Sequence, residues 1–210
     1  RRCLCRVVSF GLFQPADVQG SDIIASERGL RFVINKEFPV ELPAMIGAWN
    51  VYNALAATAV CVSLGLEIPQ VAARLADFNP PPMRMERTVV NGIVLINDAY
   101  NAGPRSARLA IGELASLPAC GRRILVLGDM LELGTQARAF HERLADQIAD
   151  LPLHAVFTVG DLSRHVSSRL AQLRRGIRTA HFENADQAGR ALAETAKEGD
   201  LILLKGSREV

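Results

Sequence analysis

In the second half of the chain, short aliphatic runs alternate with segments whose apolar residues return every three or four positions. That rhythm predicts strands alternating with helices. The strands are Ile93 to Ile96, 123–127 (Arg-Ile-Leu-Val-Leu), 155–159, a short piece near 179–182, and 201–204. Helices are expected over 104–117 with Ala107, Ala110, Ile111 and Leu114 facing inward, and over 137–149 with Phe140, Leu144 and Ile148. Two more follow over 162–173, using Leu162, Val166, Leu170 and Leu173, and over 185–197. Aliphatic runs without polar alternation describe strands covered on both faces, so the pattern implies an α/β, Rossmann-like domain, a mostly parallel sheet with helices on both sides. Before it, Val89-Val90-Asn91-Gly92-Ile93-Val94 sets Asn-Gly between β-branched pairs, a hairpin signal.

The first 45 residues read differently. Short β-prone pieces (Arg6 to Phe10, Ile23-Ile24, Leu30 to Ile34) are broken by Gly11, Pro15, Gly20 and Gly29, which fits a small sheet with turns. Asn50 to Gly65 is apolar on nearly every face, as in a helix packed inside a domain, and Pro69 opens a shorter helix through Ala76. Asn79-Pro80-Pro81-Pro82 continues neither kind of element and marks a boundary, giving domains 1–82 and 83–210.

In a parallel sheet the ligand lies at the carboxyl ends of the strands. Those ends are Asn97 to Asn101, Gly128 to Gly134, Gly160-Asp161 and Lys205 to Arg208. The first is the richest: Ile93 to Arg105 passes from an apolar strand to a helix start through a carboxylate, a phenol and two amides, with Gly103-Pro104 supplying the favoured first helical position. Asp98 and Asn101 read either as ligand contacts or as caps of the following helix.

Composition narrows the classes. A formal charge of +2, with arginines spread along helices, gives no basic patch for nucleic acid. Cys3, Cys5, Cys61 and Cys120 show no metal or disulfide spacing, which suits a reduced intracellular protein. Ala54 to Leu66, the longest apolar stretch, falls short of the roughly 20 residues that span a bilayer, and no signal peptide is recognisable, so membrane insertion is not expected. His141, His154, His165 and His181 form no ligand spacing; solvated or capping roles are expected of them, and no metal site.

Four segments taken together resemble the Mur ligases. They are Trp49 to Ala57, Arg84-Met85-Glu86, Asn97-Asp98-Ala99-Tyr100-Asn101-Ala102-Gly103-Pro104, and Leu127-Gly128-Asp129-Met130-Leu131-Glu132-Leu133-Gly134, followed by Lys205-Gly206-Ser207-Arg208. The second pair of motifs points to the branch that joins D-alanyl-D-alanine to a UDP-N-acetylmuramoyl-tripeptide. The resemblance implies an ATP-dependent, cytoplasmic, monomeric ligase of three domains, in which ATP converts the tripeptide carboxylate to an acyl phosphate that the dipeptide amine attacks. Residues 1–82 would be the end of its central ATP-binding domain and 83–210 its last domain, on the acceptor side. None of Lys36, Lys197 and Lys205 is preceded by glycine, so the phosphate loop is absent here, and the main Mg²⁺ ligands are expected upstream. By itself this chain is expected to be inactive.

The resemblance also implies roles. Asn50 and Asn53 would lie beside the adenine, an amide offering both donor and acceptor to a purine edge, although Trp49 stands where the family usually has histidine and, apart from the resemblance, Asn50 reads rather as a cap of a buried helix. Arg84 would reach ATP with its planar fork, Asp98 would accept from ribose hydroxyls, and Tyr100 with Asn101 would flank the nucleotide. Lys205, Ser207 and Arg208 would hold the carboxylate of the acceptor dipeptide, against the alternative of a solvated chain terminus. Asp129 and Glu132 read as metal or amine contacts or, preferably, as loop braces through backbone amides. Two other classes are a non-catalytic nucleotide- or dipeptide-binding remnant of the same family, and a dinucleotide oxidoreductase, whose Gly-x-Gly-x-x-Gly is missing here.

Overall fold

Turn residues cut the first part of the chain into short strands, and in the computed structural model of the protein these form a four-stranded sheet. Its strands are β1 (Phe10–Gly11), β2 (Val18–Ser26), β3 (Gly29–Ile34) and β4 (Phe38–Leu42), side by side in that order, with β1 parallel to β2 and the others antiparallel. The structure describes residues 5, 7–26, 29–43 and 45–207. The chain divides into two units, Arg1–Pro80 and Pro81–Val210.

Within the first unit, β2 is longer than the Ile23-Ile24 signal suggests because a register shift between Ser21 and Ile24 interrupts its alternation. β4 was not expected, since Pro39 interrupts it; as the last strand of the sheet it tolerates a missing N–H. The expected strand from Arg6 to Phe10 shrinks to β1; Arg6 itself lies outside the described residues. Two helices follow, α1 (Asn50–Ser63) and α2 (Ile68–Ala76). Phe32, Ile34 and Leu42 of the sheet pack with Val51, Leu55 and Ala59 of α1 to make this unit's core. α1 is one-sided and not apolar-buried all round: Tyr52, Val60 and Leu64 beyond it are exposed.

The second unit opens with the hairpin of β5 (Glu86–Val90) and β6 (Ile93–Asp98), whose turn residues Asn91 and Gly92 both have positive φ, 49° and 74°, as an Asn-Gly hairpin requires. The alternation then runs α3 (Pro104–Ser116), β7 (Arg123–Gly128), a 3₁₀ turn at Gly134–Gln136, α4 (Ala137–Ile148), β8 (Ala155–Val159), α5 (Arg164–Leu173), β9 (Arg178–Phe182), α6 (Ala185–Thr195) and β10 (Leu201–Lys205). The sheet order is β5-β6-β10-β7-β8-β9, parallel from β6 to β9. The first three crossovers step outward, and the last returns β10 to the middle, between β6 and β7. Right-handed connections therefore place α3, α4 and α5 on one face, where α3 packs on α4 and α4 on α5, and put α6 on the other, against β8 and β9. The chain thus is α/β with a mostly parallel six-stranded sheet flanked by helices, as the periodicity implied.

Helical registers follow the apolar pattern. α3 buries Ala107, Ala110, Ile111 and Leu114, the four positions expected of it. α4 differs: His141, Leu144, Ala145 and Ile148 are buried and Phe140 is only half-buried, so the inward stripe lies one residue further round. β10, in the middle, buries Leu201, Ile202 and Leu203, whereas β6, one place in from the edge, fully buries only Ile96 and is not covered on both faces along its length. Among the described residues no helix is long and apolar enough to cross a membrane.

Gly112, inside α3, gives a test of this packing. A Cβ there would meet nothing within 4 Å. Gly112→Ala should raise stability by about 0.5–1 kcal/mol through helix propensity alone, read as a higher urea midpoint at unchanged slope.

Candidate functional site

Because β6, β10, β7 and β8 run parallel, their carboxyl ends meet along one edge of the sheet. The register sets Lys205 beside Asp98 on one flank and Leu127 on the other, so the Lys205 and Asp98 side chains project from the same face. Lys205 Nζ lies 3.1 Å from Asp98 Oδ2, donates to the Asp98 carbonyl at 3.1 Å, and donates to the Asn101 carbonyl. An ammonium has three N–H groups, and these partners occupy all of them. The Lys205 side chain is 1% exposed and that of Asp98 17%. Burial pushes the Asp98 carboxyl above its ordinary value, opposed by the Lys205 charge and hydrogen bond and by the N–H of Met85, which donates to Oδ1 at 3.2 Å. Burial pushes the Lys205 ammonium below its ordinary value, with Asp98 opposing. Burial thus disfavours both charges, and each partner's charge opposes that effect on the other.

Residues 83–86 fold against the same turn. The backbone N–H of Tyr100 donates to the Met83 carbonyl at 3.2 Å, and the Arg84 guanidinium lies 4.1 Å above the Tyr100 ring centroid, a stacked cation–π contact. Arg84 and Tyr100 are both exposed. Asn101 Oδ1 accepts the Ala102 N–H at 2.8 Å and is approached by Ser207 Oγ at 3.4 Å. α3 starts after Gly103, whose N–H donates to Ser106 Oγ at 3.1 Å; neither Asp98 nor Asn101 caps it.

The neighbouring loops are tied to this turn and to one another. Asp129, 6% exposed, accepts the N–H groups of Leu162 and Ser163 at 3.0 and 2.7 Å, joining the loop after β7 to the start of α5. Gly160, with φ of 98°, sits directly behind it: a Cβ there would lie 2.8 Å from the Asp129 carboxylate. The Ser207 N–H donates to the Asp129 carbonyl at 3.1 Å, and Ser207 Oγ accepts the Leu131 N–H at 3.3 Å. This is the loop-bracing role for Asp129, while Glu132 is exposed. His141 corrects the expectation of a solvated or capping histidine. It is fully buried, its Nδ1–H donates to the Ala137 carbonyl at 2.7 Å, and its Nε2 accepts the Met130 N–H at 3.1 Å, holding the Gly-Asp-Met segment from below. The spacing 141, 144, 148 carried that signal as well as 140, 144, 148 did.

On the α6 side of the same edge is a cleft of about 250 Å³ lined by Val126, Val159, Leu204 and the small residues Ala188 and Gly189, together with Lys205 and Ser207. Its wall on α6 was not foreseen from the sequence. Asn50 and Asn53 belong to the first unit: Asn50 is buried, donates to the Ile46 carbonyl at 2.7 Å and accepts from Asn53 Nδ2 at 2.8 Å, so of the two only Asn53 is exposed. Asn50 makes no side-chain bond to the amides at the start of α1. Arg208 lies outside the described residues. The structure thus gathers Arg84, Asp98, Tyr100, Asn101, Lys205 and Ser207 on one edge.

Residues 83–208 match the family model described as Mur ligase, glutamate ligase domain. The chain is 34% identical over 205 residues to the UDP-N-acetylmuramoyl-tripeptide–D-alanyl-D-alanine ligase of Bacillus subtilis, covering 97% of this chain and 45% of that one. It is 31% identical to the Escherichia coli ligase of the same name over 157 residues, 73% of this chain and 34% of that one. Among solved structures it resembles MurF from Acinetobacter baumannii (TM-score 0.80, 26% identity, 96% of this chain and 44% of that one). It also resembles MurF ligase from Thermotoga maritima in complex with ADP (TM-score 0.79, 25% identity, 96% of this chain and 45% of that one). The chain spans less than half the length of these relatives.

His141 makes the edge sensitive to acid. Burial, the largest cause, holds its pKa below the ordinary 6.5, so the folded chain binds fewer protons than the unfolded chain in that range. Stability should be full above about pH 6.5 and fall as the pH drops, by up to ~1.4 kcal/mol per unit, until the folded imidazole itself protonates. The margin between wild type and His141→Gln, measured by urea unfolding from pH 7.5 to 5.0, should therefore narrow with acid. A constant margin would exclude His141 as the source.

Proposed function

The chain belongs to the Mur ligase family, and from that membership we propose that it is the carboxyl-terminal part of an ATP-dependent ligase that adds D-alanyl-D-alanine to UDP-N-acetylmuramoyl-tripeptide in peptidoglycan precursor synthesis. The observation that carries the proposal is the meeting of Arg84, Asp98, Tyr100 and Asn101 at the carboxyl edge of a sheet whose relatives include a ligase crystallised with ADP. ATP would supply activation of the tripeptide carboxylate as an acyl phosphate, which the dipeptide amine attacks. Residues 1–82 are assigned to the end of the central ATP-binding domain and 83–210 to the last domain. The working form is taken to be a cytoplasmic monomer using Mg²⁺, and no residue of this chain is assigned to the metal.

The assigned groups suit their parts. Asp98 is fixed by Met85 and Lys205 yet remains partly accessible, and a carboxylate has lone pairs enough to accept ribose hydroxyls in addition. Arg84, pinned over Tyr100, presents a preoriented fork to phosphate, with Asn101 beside it. Asn53 offers its exposed amide to the adenine, and Asn50 holds Asn53 in place. The acceptor is assigned to Ser207, which lines the cleft under α6, and to Arg208; the small residues Ala188 and Gly189 in that lining suit a dipeptide with methyl side chains.

Two outcomes are expected. With ATP, magnesium, UDP-linked tripeptide and dipeptide supplied, the 210-residue chain should release no phosphate above buffer, since the phosphate loop is not part of it. In the full-length ligase, Asp98→Asn should raise the ATP KM about tenfold to a hundredfold, as loss of a charge-assisted bond does, and leave the dipeptide KM near wild type. An unchanged ATP KM would remove Asp98 from the nucleotide site.

A further inference from the structure

Lys205 sits in the motif whose resemblance assigns it to the acceptor, but its surroundings assign it elsewhere. All three of its N–H groups are satisfied within the chain, by the Asp98 carboxylate, the Asp98 carbonyl and the Asn101 carbonyl, and its side chain is enclosed. A second carboxylate could bind it only by displacing one of them. Lys205 is among the residues that line the cleft under α6, but strand alternation sends its side chain to the face opposite that of Leu204, and its ammonium is held in the turn. We propose that Lys205 is a positioning residue for the nucleotide side, fixing Asp98 and both ends of the 98–101 turn on which Tyr100 stands; this rests on the reading above that Asp98 meets the nucleotide.

The physical reason is a cluster of acceptors gathered round one ammonium, with the Met85 N–H as the carboxylate's other donor. Without the ammonium, one carboxylate and two carbonyl oxygens would face each other where little water reaches. The turn would open, or Asp98 would take up a proton, a change that burial already favours. Either loses the carboxylate as an acceptor for the nucleotide. Arg84, the other cation near the pair, stacks on Tyr100 and does not replace the lysine.

The test is steady-state kinetics on the full-length ligase as wild type, Lys205→Met, Asp98→Asn and the double variant, from pH 6.5 to 9. Lys205→Met should raise the ATP KM about tenfold and leave the dipeptide KM within about twofold. Its ATP KM should also worsen toward low pH, as an unpaired Asp98 protonates, a signature that general loosening of the fold does not give. The double variant should fall well short of the product of the two single effects, because Lys205 acts largely through Asp98. A raised dipeptide KM at unchanged ATP KM would return Lys205 to the acceptor and overturn the proposal, as would full multiplication of the two effects in the double variant. If Asp98→Asn leaves the ATP KM unchanged, the nucleotide reading of Asp98 fails; if Asp98→Asn raises it and Lys205→Met does not, only the positioning role fails. Should Lys205→Met show no cooperative melting, Lys205→Gln, which keeps neutral donors but no charge, is judged by the same criteria.

Discussion

The buried ammonium of Lys205 is the contact on which the sheet's working edge depends. A cation and a carboxylate taken out of water cost more than their attraction returns unless further hydrogen bonds support them, and here the ammonium has three acceptors and each carboxylate oxygen a donor. The arrangement is possible because β10, the last strand in the chain, is inserted between the first two strands of the parallel set. That insertion brings residues 107 positions apart into one register pair. It also places Ser207, two residues later, where it bonds both the loop after β7 and the turn after β6. Asp129 then extends the bracing to β8. The four strand ends form one hydrogen-bonded system.

Within that system the polar side chains fall into two groups. Lys205, Asp129 and His141 are buried with backbone or ionic partners at hydrogen-bond distance. Arg84, Tyr100 and Asn101 lie on the same edge and are exposed. The first group holds the loops and the second has the surface to meet a ligand. Asp98 belongs to both, since it is anchored by Lys205 and Met85 and still partly open. This division separates roles that a motif written as a string of letters runs together. Lys205 and Ser207 stand two residues apart in one motif and both line the cleft, yet the lysine's ammonium is taken up within the turn while the serine's hydroxyl bonds the loop after β7.

Much of the fold was legible because the strands and helices of the second unit are covered on fixed faces, so burial imposes its period on the sequence. α3 is the clearest case, with all four inward positions readable. Reading failed where a local rule was overridden by position in the sheet. Pro39 disguised β4, which as an edge strand needs no N–H there, and the shift after Ser21 hid the length of β2. His141 was misread because a polar residue on an inward stripe looks like an error in the stripe until its two backbone partners are known.

For the candidate site, residue types and strand-end placement were readable, and the resemblance added the nucleotide and acceptor labels. The pairing was not readable. Nothing local to Lys205 says that its neighbour is Asp98, because strand order is a property of the whole sheet and the crossover through α6 decides it. Had β10 been added at the outer edge beside β9, the same tetrapeptide would have ended near Phe182, where its ammonium would have turned to solvent, to the exposed Glu183 or to an anionic ligand. Chemistry assigned from a motif therefore holds only once the strand order is known, since the order determines whether a charged group is spent inside the fold or left available to a substrate.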